Sequence, residues 1–149
     1  MTSPFGNDFG RWHPGIDIGI LRSPVVRAAQ SGRVIAVGAR RGFEGYGNVV
    51  EVALGRGYVA LYAHLAGWRV KVGDEVVPGE RIGTAGCTGW CTGTHLHFEL
   101  RHRGRPVNPL RYRAQKSGVR SSASFCLRSG RISSTAACRT NRRSASSKR

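Results

Sequence analysis

The chain has 149 residues, 24 of them Lys or Arg against 8 Asp or Glu, for a formal charge of +16. That length fits one domain and leaves little room for two. No apolar run reaches the ~18 residues that a membrane-spanning helix needs, and residues 1–6 carry no basic-then-apolar leader, so neither a transmembrane segment nor a signal peptide is expected.

The charge is uneven. Residues 1–112 hold 14 Lys and Arg and all 8 acids, a net of +6, whereas residues 113–149 hold 10 basic residues and no acid. Within 1–112, glycines punctuate short apolar runs. Residues 16–20 alternate with period two, 34–37 follow Ser31-Gly32, and 48–52 follow Tyr46-Gly47. Residues 58–64 are β-branched and aromatic, and their alternation puts Tyr58, Ala60, Tyr62 and His64 on one face. Residues 70–76 lead through Pro78-Gly79 to 81–83, which reads as two short strands joined by tight turns. Residues 94–100, Thr-His-Leu-His-Phe-Glu-Leu, alternate cleanly. Short strands bounded by turn residues, with no long 3.6-residue period, predict an all-β domain: a compact antiparallel sandwich or partly closed barrel. Past Asn108-Pro109-Leu110 the chain turns rich in Ser, Arg and Ala without a period. The organisation expected is a domain over 1–112 and a basic tail over 113–149. The tail buries too little apolar surface to fold alone and is read as a disordered or non-native extension. Its charge supplies only nonspecific attraction, so no specific nucleic-acid partner is expected.

Five histidines carry the chemistry: 13, 64, 95, 97 and 102. His95 and His97 lie two apart in a strand and share a face, with Leu96, Phe98 and Leu100 on the other. Two neighbouring imidazoles suit a metal site, or one ligand beside a proton carrier; exposed strand histidines are the plain alternative. In His13-Pro14-Gly15-Ile16-Asp17 the Pro-Gly pair bends the chain into a strand, and an Asp flanked by isoleucines needs a partner where it is buried. His64 ends its strand, and His102 sits in a basic turn and receives no role. Two His and one carboxylate form a three-ligand set with a position open for water, the pattern of catalytic zinc rather than of closed structural sites. Spacing does not choose between His95 and His97 as the ligand. Cys87 and Cys91 flank a Thr-Gly-Trp turn, either as a disulfide or as two small residues lining it; Cys126 and Cys138 follow later.

Taken in order, His-x-Gly-x-Asp, Tyr-Ala-His-Leu and Gly-Thr-His-Leu-His-Phe-Glu resemble the lysostaphin-type zinc endopeptidases, which cut bacterial cell-wall peptides. The resemblance runs from Ser3-Pro4-Phe5-Gly6 to Asn108-Pro109-Leu110. It implies a β-rich fold with an open groove floored by an antiparallel sheet. It also implies one zinc ion held by His13, Asp17 and His97, with His64 and His95 as the catalytic pair. Glu99, on the face of His95 and His97, is either a partner of that site or a solvated strand carboxylate. The implied substrate is peptidoglycan peptide, the implied location is outside the cytoplasm, and a monomer is expected. Some relatives keep the fold without activity and regulate cell-wall hydrolases, which is the competing reading.

Overall fold

A computed structural model describes residues 3–8, 10–19 and 23–112. The basic tail, with Cys126 and Cys138, lies outside the described residues.

The chain opens with the hairpin β1 (Gly6–Asp8) and β2 (Arg11–His13), followed by β3 (Ile16–Gly19) and β4 (Val25–Arg27). The long strands β5 (Gly32–Ala39), β6 (Asn48–Gly55) and β7 (Tyr58–Ala63) follow, with a 3₁₀ turn at Glu44–Tyr46 between the first two. Next come β8 (Leu65–Trp68), β9 (Glu75–Val76), β10 (Arg81–Ala85), β11 (His95–His102) and β12 (Arg105–Val107). No α-helix occurs among the described residues. The main sheet runs β12-β11-β7-β6-β5-β9, with β3 also paired to β11; a second sheet runs β4-β10-β8. All pairings are antiparallel, and the main sheet stays open rather than closing into a barrel.

The two faces of the main sheet differ in character. One packs Val34, Val50, Val52, Ala60 and Tyr62 against Val26, Leu65, Ile82 and Ala85 of the second sheet, with Leu96 and Phe98 closing over them. This is the apolar face that alternation predicts for β11. A bulge at Ile35, between the pairs Val34↔Val52 and Ala36↔Glu51, lets Val34 and Val37 both reach this core although they are three residues apart. The opposite face carries Val49, Leu61 and Ala63 under Phe43 and Tyr46, and beside them the polar side chains of β11.

Two local expectations change. Residues 70–74 form a turn closed by the Lys71 N–H on Asp74 Oδ2 rather than a strand. An Asp placed to satisfy its own backbone competes with ladder pairing there. The second change concerns His64. Alternation assigns it to the face of Tyr62, but β7 stops at Ala63 and His64 takes φ 58°. This left-handed residue turns the chain from the main sheet into β8 and delivers the imidazole to the opposite face, beside His95.

Candidate metal centre and active site

Strand pairing explains how residues 80 apart in sequence meet. β11 lies between β3 and β7, and His97 pairs with Asp17 on one side and with Ala63 on the other. Directly opposed residues on antiparallel strands share a face, so Asp17, His97 and Ala63 project together. The Asp17 N–H donates to the Ser3 carbonyl (2.9 Å), and the β1–β2 hairpin returns His13 to the same place.

The packing here requires Gly15. A Cβ on it would collide with the Phe98 carbonyl and lie 2.9 Å from both Glu99 Cγ and His97 Cε1. Gly15→Ala is therefore expected to push β11 away and destabilise the fold by about 1–3 kcal/mol. Urea unfolding of the two proteins side by side measures this, and equal midpoints would refute it.

Four of the five histidines converge, each with one ring nitrogen already engaged. The Nδ1–H groups of His13, His64 and His95 face the carbonyls of Pro4 (2.7 Å), Thr88 (2.8 Å) and Gly93 (2.7 Å). That arrangement leaves the Nε2 lone pair of each neutral ring free. His97 is reversed: its Nε2 lies 3.1 Å from Glu99 Oε1, and its Nδ1 lies 2.8 Å from Asp17 Oδ1. His13 Nε2 is 3.1 Å from His97 Nδ1 and 3.2 Å from Asp17 Oδ1. These three atoms form the one group among the described residues with the composition and proximity to hold a metal ion. Ligand atoms at 2.0–2.1 Å from a tetrahedral zinc ion sit about 3.3 Å apart, so the triangle has nearly the right size. Its chemistry also fits. Two imidazole lone pairs and a carboxylate directed at one point repel one another unless a cation or proton lies between them.

Electrostatics follow from the same contacts. Burial opposes the charge on Asp17, but the His97 hydrogen bond and the nearby imidazoles more than offset it and hold its pKa below the ordinary value. His64 is pushed down, chiefly by burial and further by His95 and His97, so it is neutral at pH 7. His97 moves up: burial lowers it, yet Asp17 and Glu99 together outweigh burial.

His95 stands with Nε2 3.8 Å from Asp17 Oδ1, and its ring centroid is 4.7 Å from that of His64. The five residues singled out in the sequence therefore form one cluster. His102 does not join it and stacks on Tyr58 at 4.3 Å. Glu99 is fully buried rather than solvated. The sequence reading missed Tyr46, Arg101 and Thr88. Tyr-Gly-Asn at 46–48 was visible as a turn, but nothing in it signalled that Tyr46 reaches Glu99 (2.6 Å). The site lies on the open sheet face. A cavity of about 710 Å³ lined by Leu54, Tyr58, Leu100 and Tyr112 has no site histidine in its wall.

Cys87 and Cys91 are joined by a disulfide, which decides between the two readings of that turn. The bridge closes the loop that carries the Thr88 carbonyl and presents Trp90 to solvent, 85% exposed. Thr88 is also held by its own hydroxyl, which donates to the Leu65 carbonyl and accepts from the Asn48 N–H. For so short a loop, chain entropy gives the bridge about 2 kcal/mol. The Cys87→Ser, Cys91→Ser double variant is expected to lose about that much on chemical unfolding. None of His13, Asp17 and His97 sits in the loop, so any metal affinity of the parent should persist in the variant; a parent that binds metal and a variant that does not would contradict this.

Residues 11–109 match the model for peptidase family M23. The chain is 42% identical over 116 residues to the DD-carboxypeptidase/endopeptidase Mpg of Neisseria meningitidis, a match covering 74% of this chain and 26% of Mpg. It is 39% identical over 102 residues to the murein hydrolase activator NlpD of Escherichia coli, covering 68% of this chain and 26% of NlpD. The chain thus spans about a quarter of the length of these curated relatives. The catalytic domain of the antimicrobial peptidase lysostaphin from Staphylococcus simulans superposes with a TM-score of 0.62 at 30% identity, over 73% of this chain and 85% of that one. Family model, sequence relatives and superposed fold agree with the resemblance carried by the histidine motifs, and the chain belongs to peptidase family M23.

Proposed function

We propose that the chain is a zinc-dependent endopeptidase that hydrolyses peptide bonds in bacterial peptidoglycan, in the cross-link or the stem peptide. One observation carries this reading: three donor atoms 2.8–3.2 Å apart, with the imidazoles of His64 and His95 gathered beside them. His13 Nε2, Asp17 Oδ1 and His97 Nδ1 would hold the ion. A zinc ion so held supplies Lewis-acid polarisation of the scissile carbonyl and a water of lowered pKa. His64 and His95 share the proton work. In each, Nδ1 faces a backbone carbonyl and Nε2 is free, so one accepts the water proton and the two as a pair stabilise the oxyanion and protonate the leaving amine. We take residues 1–112 as the peptidase domain, working as a monomer outside the cytoplasm, with a basic tail over 113–149. No helix among the described residues is long and apolar enough to cross a membrane.

The test is a digest of defined peptidoglycans with products identified by mass spectrometry, run beside a metal analysis. One zinc per chain and new peptide termini that a chelator suppresses are the expected result. A well-folded, zinc-loaded protein that releases nothing from any peptidoglycan type would refute the enzyme reading.

The likeness to NlpD favours a second reading, in which the chain activates a murein hydrolase and cuts nothing itself. Added to a murein hydrolase, such a protein raises that enzyme's product yield and forms no products when alone. The complete set of five residues supports the peptidase instead.

A further inference from the structure

Three of the four clustered imidazoles lean on a neutral backbone carbonyl, whereas His97 leans on a carboxylate. That carboxylate, Glu99, is fully buried, and each of its oxygens is spoken for. Oε1 accepts from the Tyr46 hydroxyl (2.6 Å) and faces His97 Nε2 (3.1 Å); Oε2 accepts from Arg101 Nε (2.6 Å). Arg101 is itself placed, its guanidinium 5.1 Å from the Phe43 ring centre and 5.7 Å from that of Tyr46.

A buried carboxylate without such partners would take up a proton. Here the Tyr46 hydroxyl and the Arg101 guanidinium, each 2.6 Å from one of its oxygens, supply the donors and the opposite charge that a buried carboxylate needs. A phenol O–H 2.6 Å from a carboxylate oxygen donates to it, and an Arg Nε–H can do nothing else. With both oxygens already accepting hydrogen bonds and a guanidinium beside it, Glu99 acts as an acceptor, and the hydrogen on its 3.1 Å contact with His97 belongs to Nε2. A neutral ring with hydrogen on Nε2 has its lone pair on Nδ1, the atom that meets His13 and Asp17.

We propose that Glu99, clamped by Tyr46 and Arg101, is a positioning residue that holds His97 with Nε2 protonated and Nδ1 bare, and so sets the affinity of the metal centre. The inference rests on the zinc reading given above. A carboxylate makes the imidazole a more basic ligand than a carbonyl would. Arg101 matches the charge of Glu99, which lets that charge persist away from water.

The experiment is zinc affinity by chelator competition for the parent, Glu99→Gln and Tyr46→Phe. Proton NMR of the zinc-loaded proteins accompanies it. Glu99→Gln is expected to bind zinc roughly 10–100-fold more weakly, the usual effect of removing a ligand's hydrogen-bond partner. Tyr46→Phe, which leaves Glu99 in place, should weaken zinc binding about two- to tenfold, the worth of one hydrogen bond. The parent should show a downfield, slowly exchanging His97 Nε2–H signal, a signature that a purely structural role for Glu99 would not move and that Glu99→Gln should lose. Parent-like affinity in Glu99→Gln with that signal intact overturns the proposal. Should Glu99→Gln not fold, parent-like affinity in Tyr46→Phe overturns it in the same way. A parent that takes up no zinc defeats the functional reading and this inference together, whereas a zinc-loaded parent with insensitive variants defeats the inference alone.

Discussion

Replacing His64 by alanine is expected to slow peptide hydrolysis by about 10²–10⁴-fold, the usual contribution of a positioned acid–base group, while zinc content stays at that of the parent. His64 touches none of the three donor atoms, and its Nδ1 is occupied by the Thr88 carbonyl. Its neutral form, favoured by burial, is the form able to take a proton. Rates on a defined cross-linked muropeptide, measured beside metal analysis of the same sample, test this; full activity in His64→Ala would remove the imidazole from the mechanism. The backbone supplies a second, independent check. At φ 58° an L-residue is strained, by roughly 1–2 kcal/mol in the left-handed region, and glycine is not. His64→Gly should therefore be more stable than His64→Ala by about 1 kcal/mol, the reverse of the order at an ordinary strand end. Both should be equally inactive. Strain held at a working residue is what that order would reveal.

That same residue marks where sequence reasoning stops. Period-two alternation placed Leu96 and Phe98 in the core and His95 and His97 together on the other face, because a regular strand leaves no other choice. It misplaced His64 because alternation holds only while φ stays extended. Nothing in Tyr-Ala-His-Leu announces a left-handed residue, since histidine is neither Gly nor Asn. The pairing of Asp17 with His97 was out of reach as well. Which strands become neighbours depends on how the two sheets share the core, and β3 docks on β11 across nearly the whole domain. Recognising the motifs supplied the grouping of the five residues that local periodicity lacked. Glu99 was seen on the correct face, but whether it was solvated depended on Tyr46 and Arg101, brought in by a loop and by the far end of β11. The bulge at Ile35 was equally silent, for an inserted residue looks like any other β-branched position.

His97→Ala is expected to abolish both zinc binding and hydrolysis, the largest loss of any single substitution here, and the parent's zinc affinity should weaken in acid for a reason located at the same ring. In the metal-free protein Asp17 and Glu99 outweigh burial and raise the pKa of His97 above the ordinary imidazole value of about 6.5. A proton on Nδ1 occupies the place where the proposed ion would bind, so zinc would have to displace it. Below the raised pKa, each unit of pH should therefore cost about tenfold in affinity for that one proton; above it the dependence flattens. Stability of the metal-free protein runs the other way. A folded-state pKa above the unfolded one stabilises fully below the unfolded value, and that contribution is lost as pH rises through the folded value. Asp17 and Glu99, both lowered, add stability that is present above their unfolded values and disappears in stronger acid. Chelator competition from mildly acid to mildly alkaline pH, paired with thermal unfolding of the metal-free protein over the same range, reads both slopes. They should have opposite signs near neutrality. A zinc affinity that does not change with pH would mean that no proton competes for Nδ1, and the electrostatic account of His97 would then be wrong even if the ion is bound.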